Sequence, residues 1–148
     1  MALQPGVGTL LSVSASLPLT ETQTAYGAIT YTPVGKVESV GAGGKSRQEI
    51  TFIDLESGEE EVFGGSISYG SRSVGIGEVL DDAGQLILEA AFNGNSKVAV
   101  EIGRPDGSLR YFTARVMAFN DQGFTANAVI KLEVALRQVT AEIDVEAP

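Results

Sequence analysis

The sequence predicts a mainly β fold, an antiparallel β-sandwich or barrel-like subunit with one flanking α-helix at about residues 82–93. Short alternating apolar runs, such as KVAVEI at 97–102, predict strands with one face turned to a core. Turn-forming Gly, Pro, Asn and Asp residues separate these runs, as they do in antiparallel sheets. Only one segment, DDAGQLILEAAFNG, changes to the period of an amphipathic helix. No internal repeat or boundary interrupts the 148 residues, so we expect a single domain over 1–148.

Composition disfavours several chemical roles before any motif is considered. The chain has 0 cysteines and 0 histidines, which removes thiolate chemistry, the commonest general base and the commonest metal ligand. Its formal net charge of −9 disfavours binding to nucleic acid or an anionic membrane, because phosphate contacts need clustered Lys and Arg. We therefore expect no catalytic residue, cofactor, metal or membrane association. The opening stretch MALQPGVGTLLSVSASLPL lacks the early basic residues and sustained apolar core of a signal peptide.

The first half of the chain is predicted to contain strands and loops. Residues 1–23 are rich in Gly, Ser, Pro and Thr and are expected to form an extended arm, and 24–40 hold short β-type runs. Residues 41–62 form a long inter-strand loop region, in which RQEITFIDL at 47–55 is predicted as a strand and ESGEEE as an acidic turn. At the other end of the chain, residues 141–148 are expected to form an acidic tail.

The helical segment has its own start and stop signals. Asp82 is predicted as the N-cap, and Gln85 as the residue that reaches back to it in a capping box. Asn93-Gly94 is the expected left-handed stop. The residues predicted to face the core follow helical spacing: Ala83, Leu86, Ile87, Ala90 and Ala91.

The longest β pair is predicted from residues 108–119 and 124–139. A four-residue loop at Asn120–Gly123 would set Arg110 opposite Glu133, a pair of opposite charge that favours this register. Both faces of the pair carry apolar side chains, and its strands are about twice the usual length. An exposed ribbon of this kind aggregates unless another chain covers it. The pattern therefore favours a protein that assembles with copies of itself.

Motifs that could carry chemistry have simpler structural interpretations. Gly44-Lys45-Ser46 ends like a phosphate-binding loop, but Ser39 stands where the first glycine is needed, and the following RQEITFIDL is strand-like rather than helical. The carboxylates at Glu59–Glu61 and Asp81–Asp82 occupy turn or cap contexts and are interpreted as solvated charge. A sugar- or peptide-binding groove would need aromatic side chains to cluster. The four tyrosines are scattered along the sequence: Tyr26, Tyr31, Tyr69 and Tyr111.

In order and spacing, three segments together resemble the tail tube (major tail) proteins of long-tailed, lambda-like phages. These are VGKVESVG, SYGSRSVGIGEVL and the block from DDAGQLILEAAFNG to KLEVALRQV, which contains a helix, a strand, a PDG turn and two strands. The resemblance covers most of residues 34–140 and depends on no single motif. Unlike the lambda example, the chain is expected to have no appended C-terminal immunoglobulin-like domain.

The resemblance implies a structural virion protein, with a fold shared by contractile-tail and type VI secretion tubes. Six subunits would join into a ring with a continuous inner β-barrel, and rings would stack into a hollow tail tube assembled in the host cytoplasm. Other tail proteins would contact the tube ends. DNA would pass through the lumen without specific binding, since an acidic lumen repels phosphates.

Two groups of residues are candidates for contacts in such an assembly. The arm, the 41–62 region and the acidic tail are expected to join rings. Candidates for a subunit interface or the lumen are Arg110, Phe112, Lys131, Glu133 and Arg137. Candidates for contacts between rings are Lys45, Arg47, Glu59, Glu60 and Glu61.

Other functions stay open at the level of sequence. Another ring-forming protein, such as a tail terminator or a secretion-tube protein, would share the same architecture. A monomeric β-sandwich that binds carbohydrate or peptide, and a small hydrolase using Glu and Asp, belong to different classes. The assembly state separates the first group from the second.

Overall fold

The computed structural model describes Leu3 and residues 6–146, and it confirms the mainly β fold with a helix against the sheet. The described chain contains ten strands and two helices. Their order is β1 (Leu10–Ser14), α1 (Gln23–Gly27), β2 (Thr32–Pro33), β3 (Val37–Val40), β4 (Ser46–Ile53), β5 (Glu60–Ser68), β6 (Ser71–Gly77), α2 (Ala83–Asn93), β7 (Lys97–Gly103), β8 (Leu109–Asp121), β9 (Lys131–Gln138) and β10 (Ile143–Val145). The short helix α1 extends into the stretch 24–40, where the sequence predicted only β-type runs, so that prediction is wrong at 24–27.

One antiparallel sheet contains eight of the strands, in the order β2-β1-β7-β8-β9-β6-β3, with β10 added beside β8. The 13-residue strand β8 serves two neighbours on one edge, because β10 pairs with its first residues and β9 with the later ones. Strand β1, from the stretch expected to be an extended arm, is internal to the sheet between β2 and β7. Strands β4 and β5 pair only with each other in the described chain.

The main core lies on the face of the sheet that α2 covers. The alternation that predicted β7 is confirmed, since Val98 and Val100 are fully buried and Ile102 is 8% exposed. Inward residues from β1, β6, β8 and β9 join them: Leu11, Val13, Val74, Ile76, Phe112, Ala114, Val116, Leu132, Val134 and Leu136. A smaller cluster on the opposite face of the sheet centres on Tyr26, Ala99 and Tyr111 and is covered by α1.

The start of α2 is as predicted, although Gln85 has a different role. Asp82 caps the helix, its side chain accepting from the Gln85 N–H at 3.1 Å, and it also accepts from the Gly35 N–H at 3.1 Å. The buried Gln85 side chain does not reach back to the cap. It accepts from the Val79 N–H and donates to the carbonyls of Gly35 and Gly77, so it ties the helix to two connecting segments.

The predicted inward stripe of α2 is confirmed at Ala91 and in part at Ile87, which packs against the core, and is wrong at Ala83, Leu86 and Ala90. The buried positions are Gly84, Gln85, Leu88 and Ala91, whereas Leu86 is 47% exposed. Gly84 explains the difference, because a Cβ there would lie 2.6 Å from the Pro33 carbonyl oxygen, and only glycine lets the helix approach β2 this closely. The predicted left-handed stop at Gly94 is also wrong. Gly94 has φ −88°, and the left-handed residue is Asn95 at φ 51°.

The predicted register between β8 and β9 is wrong by several residues. Residues 122–130 connect the strands, rather than a four-residue loop, and Val116 pairs with Leu136. The cause is the other edge of β9, which pairs along its whole length with β6. Arg110 therefore lies opposite Ile102 of β7 and Asp144 of β10, and Glu133 lies opposite Asn120.

Candidate assembly surfaces

Strands β4 and β5 form a two-stranded hairpin that leaves the main sheet. An isolated hairpin of this kind is marginally stable at best in water. Its large apolar side chains are 43% to 62% exposed, and they are Ile50, Phe52, Ile53, Val62, Phe63 and Ile67. At the turn, Leu55 is 99% exposed. Grouped exposed apolar side chains mark interaction sites, so the hairpin is a candidate surface for contact with another chain.

Charges of opposite sign occupy opposite ends of this hairpin. The predicted inter-ring residues Lys45 and Arg47 lie at its base, where Arg47 donates to the Gly65 carbonyl at 3.1 Å. The predicted Glu59, Glu60 and Glu61 lie at its tip, together with Asp54 and Glu56 on the turn. Within the described chain, none of these tip carboxylates forms a salt bridge. The structure thus separates the five inter-ring candidates into a basic base and an acidic tip.

Strand β9 presents a polar face on the side away from the core. Lys131, Glu133 and Arg137 share this face, as the two-residue period of a strand requires. Lys131 forms a salt bridge with Glu38 at 2.9 Å. The residues opposite on β6 have small side chains or none: Gly77, Gly75 and Ser71. Three of the five interface or lumen candidates therefore lie together on one smooth, hydrophilic strip.

The other two candidates lie elsewhere. Arg110 is held by Asp144 at 2.8 Å and Glu142 at 3.4 Å, which fastens the segment of β10 to β8. Burial acts to raise the pKa of Asp144, but the hydrogen bonds and charges of Arg110 and Arg104 outweigh it and hold that pKa below its ordinary value. Phe112 is fully buried in the main core. Its expected place at an interface or lumen is therefore corrected, because a core residue cannot contact a neighbouring subunit.

Three of the tyrosines that are scattered in sequence come together beneath α1. The rings of Tyr26 and Tyr111 stack with centroids 5.6 Å apart, and Tyr31 lies 5.7 Å from Tyr111. Burial, and then the neighbouring Tyr111 and Glu101, raise the pKa of Tyr31. Tyr26 is fully buried and Tyr111 is 5% exposed, so the cluster packs the helix on the sheet and offers no open groove. Sequence reasoning missed it because the three residues come from separate elements.

The described residues bear on three other features: a phosphate-binding loop, a metal site and a membrane-spanning helix. Lys45 and Ser46 lead into strand β4, whereas a phosphate-binding loop opens a helix. Across the residues that the structure describes, no group of three or more Asp or Glu side chains could hold a metal ion. In the same part of the chain, no helix is long and apolar enough to span a membrane.

No protein-family model matches the chain, and no curated protein matches it. Solved structures do. A chain in the tail of an empty gene transfer agent particle, refined with C6 symmetry, superposes with a TM-score of 0.67 at 15% identity, covering 97% of this chain and 100% of that one. A chain of the SPP1 tail tube superposes with a TM-score of 0.67 at 13% identity, covering 97% and 81%. A chain from the sheath/tube terminator of an extracellular contractile injection system gives 0.67 at 14% identity, covering 99% of each chain.

These matches show the fold of the chain. They extend over nearly its whole length, so the projecting hairpin and the flanking helix fall within the compared region. The predicted resemblance in fold to tail tube proteins is confirmed.

Proposed function

We propose that this chain is the repeating structural subunit of a hollow tail tube. Copies join edge to edge into rings of six, the rings stack, and the lumen conducts DNA from a phage-like particle. In this role the chain is part of a virion tail, needs no cofactor and performs no catalysis. Its partners are other copies of itself and further tail proteins at the ends of the tube.

The observation that carries the proposal is the hairpin β4–β5. Its apolar side chains have no covering element in the protomer, and they lie on both faces of two paired strands. A monomer would expose this ribbon to water and to uncontrolled strand pairing. Repeated association with further copies covers it and leaves no free edge when the ring closes.

The comparisons support the same proposal from another direction. The chains with this fold come from a tail refined with C6 symmetry, from a tail tube and from a tube terminator, and all of these are parts of tubular assemblies. We assign the polar strip of Lys131, Glu133 and Arg137 to the tube wall or its subunit contacts. DNA would pass along such a wall without specific binding, because the chain is acidic overall.

The direct test is the assembly state of the purified chain. Light scattering behind size-exclusion chromatography, followed by negative-stain microscopy, should show rings or tubes with a central channel. A strictly monomeric protein at high concentration would refute the proposal. Single rings that never stack would instead favour a tube terminator, since a chain from a sheath/tube terminator also has this fold.

A matched pair of variants tests whether the hairpin is the contact surface. Phe52 and Phe63 share one face of it with Ile50, and replacing both phenylalanines by serine removes most of that apolar surface. We expect F52S/F63S to remain folded but to lose assembly. The control is Phe124→Ser, at a still more exposed phenylalanine in the loop between β8 and β9. If the parent chain and both variants assembled equally well, the hairpin would not be the contact surface.

A further inference from the structure

Three basic side chains lie side by side across three neighbouring strands. Lys97 of β7 is directly opposite Arg115 of β8, and Arg115 is directly opposite Arg137 of β9. Like charges in directly opposed positions destabilise a sheet. The chain has only 10 Lys and Arg residues against 19 Asp and Glu, so carboxylates were plentiful as alternative partners. We call these three residues the basic row.

The basic row is not neutralised within the protomer. Arg115 donates to the Asn95 carbonyl at 3.0 Å, and Arg137 donates to the Ser68 hydroxyl at 2.9 Å, and both acceptors are uncharged. Among the described residues, no carboxylate forms a salt bridge with any of the three. Lys97 and Arg137 are exposed. The basic row is therefore available to pair with anionic groups of another molecule.

We infer that the partner is the acidic tip of the β4–β5 hairpin of a neighbouring copy, which deepens the function proposed above and rests on it. The contact between Arg137 and Ser68 places the row beside the base of the protomer's own hairpin. From Ser68 to Glu60 the strand β5 extends roughly 26 Å, at ~3.3 Å per residue. A protomer therefore cannot fold its own tip back onto its row, whereas a second copy can supply one.

The charges of the two surfaces are complementary. The tip carries Asp54, Glu56 and Glu59–Glu61 without an intramolecular salt bridge, and the row carries three unpaired cations. Because tip and row are different surfaces, their contact is heterologous: each copy offers a tip to one neighbour and a row to another. Such contacts propagate into closed rings or open filaments.

An apolar groove adjoins the row at Lys97. It has a volume of about 340 Å³ and is lined by Leu86, Ile87 and Ala90 of α2 together with Val98 of β7. Leu86 and Ala90 face outward, although the sequence had assigned them to the core, whereas Ile87 also packs against the main core. Leu55, at the turn among the tip carboxylates, is fully exposed and has the size and apolar character to enter it. The groove lies on the α2 face of the sheet and the row on the opposite face, so one tip would have to pass around the start of β7 at Lys97 to contact both.

Paired charge reversals test the inference. The row variant is K97E/R115E/R137E and the tip variant is E59K/E60K/E61K. We expect each variant alone to need at least a tenfold higher protein concentration for assembly than the parent chain, measured by light scattering. An equimolar mixture should assemble again, because each tip then finds a row of opposite charge, and microscopy with one tagged variant should show the two alternating.

The variants also control for net charge, since the row variant is more negative than the parent and the tip variant is less negative. If general repulsion governed assembly, the tip variant would assemble better than the parent, which would overturn the inference. Lys36→Glu, a reversal of an exposed lysine outside both surfaces, should assemble normally. If circular dichroism shows that the row variant is unfolded, K97Q/R115Q/R137Q replaces it, with a tenfold loss again expected.

Three further outcomes are distinguishable. If the parent chain assembles and both variants assemble equally well, the docking of tip on row is wrong while the proposed function stands. If the parent chain never assembles, the proposed function itself fails and the inference fails with it. Binding of duplex DNA that the row variant loses while its assembly stays normal would assign the row to phosphate groups and overturn the inference.

Discussion

Tyr26 fixes α1 to the sheet through one hydroxyl group. The oxygen lies 2.9 Å from the Thr113 hydroxyl and 3.3 Å from the Thr140 hydroxyl, and the ring is fully buried. We expect Tyr26→Phe to lower the free energy of unfolding by about 1 kcal/mol, the usual net worth of a buried hydrogen bond. Urea denaturation measures the loss. Tyr69→Phe, at a half-buried tyrosine in the connection from β5 to β6, is the control, and equal effects of the two changes would contradict this role.

Asp144 links the stability of the fold to pH. Its pKa in the folded state is held below the ordinary value, because Arg110 and Arg104 outweigh the opposing effect of burial. A lowered folded pKa stabilises the fold above the unfolded pKa of about 4, and this stabilisation is lost as the pH falls through the folded pKa. We expect Asp144→Asn to be less stable than the parent at neutral pH by at most about 1 kcal/mol, as for other exposed ion pairs. Chemical denaturation at neutral pH and below about pH 3 checks this, and a difference that persists in acid would contradict the linkage.

The residues that sequence predicted correctly act over short distances along the chain. Asp82 caps the backbone three residues ahead, so its role could be predicted from local spacing. Gln85 was assigned to the same cap, but its side chain binds Gly35, which lies 50 positions earlier. Tyr26 likewise bonds to Thr113, at a separation of 87 residues. A single sequence gives the type of such a side chain and does not give its partner.

At the scale of elements, the wrong register predicted for β8 and β9 also arises from a partner that is distant in sequence. Sequence placed β9 by its nearest turn signal, whereas β6 on its far edge fixes where β9 begins and which residues it buries. The alternation of Leu132, Val134 and Leu136 indicates which side of β9 is buried, but not which residues of β8 lie opposite them. Strand existence was therefore predictable for β7, β8 and β9, and the pairing between the last two was not.

Engineered cross-links can verify the register, because the chain has no cysteine of its own. Arg115 and Arg137 are direct partners on the outward face, so R115C/R137C should form a disulfide under mild oxidation. The control is R115C/A128C, the pair that a four-residue loop would have brought together. We expect non-reducing electrophoresis and thiol titration to show the cross-link in the first protein only. A cross-link in the control instead would restore the register predicted from sequence.

The sequence alone did not determine whether the hairpin β4–β5 is buried within its own chain. A strand at 47–55 was predicted within a long loop region, and the structure has β4 at Ser46–Ile53. Apolar side chains two positions apart in a strand, such as Ile50 and Phe52, normally mark a buried face. These side chains are exposed in the protomer. Alternation predicts that a face is to be covered, but it does not say whether the cover belongs to the same chain.

At the scale of the whole molecule, the separation of the hairpin from the core predicts that a variant can fold without assembling. In the described chain β4 and β5 pair only with each other, and the core residues come from other elements. Replacing residues 43–71 by an Asn-Gly turn would join Ala42 to Arg72, next to where Gly41 bonds to the Ser73 carbonyl.

We expect the free energy of unfolding of the shortened protein to lie within about 1 kcal/mol of that of the full chain. It loses two hydrogen bonds to the hairpin base, and its shorter loop offsets part of that loss. It should remain monomeric at every concentration tested, while circular dichroism keeps the signal of the eight-stranded sheet. Rings formed by the shortened protein would mean that the subunit contacts lie elsewhere on the sheet. Loss of folding would mean that the hairpin stabilises the protomer itself, which we do not expect, because its large apolar side chains are largely exposed there.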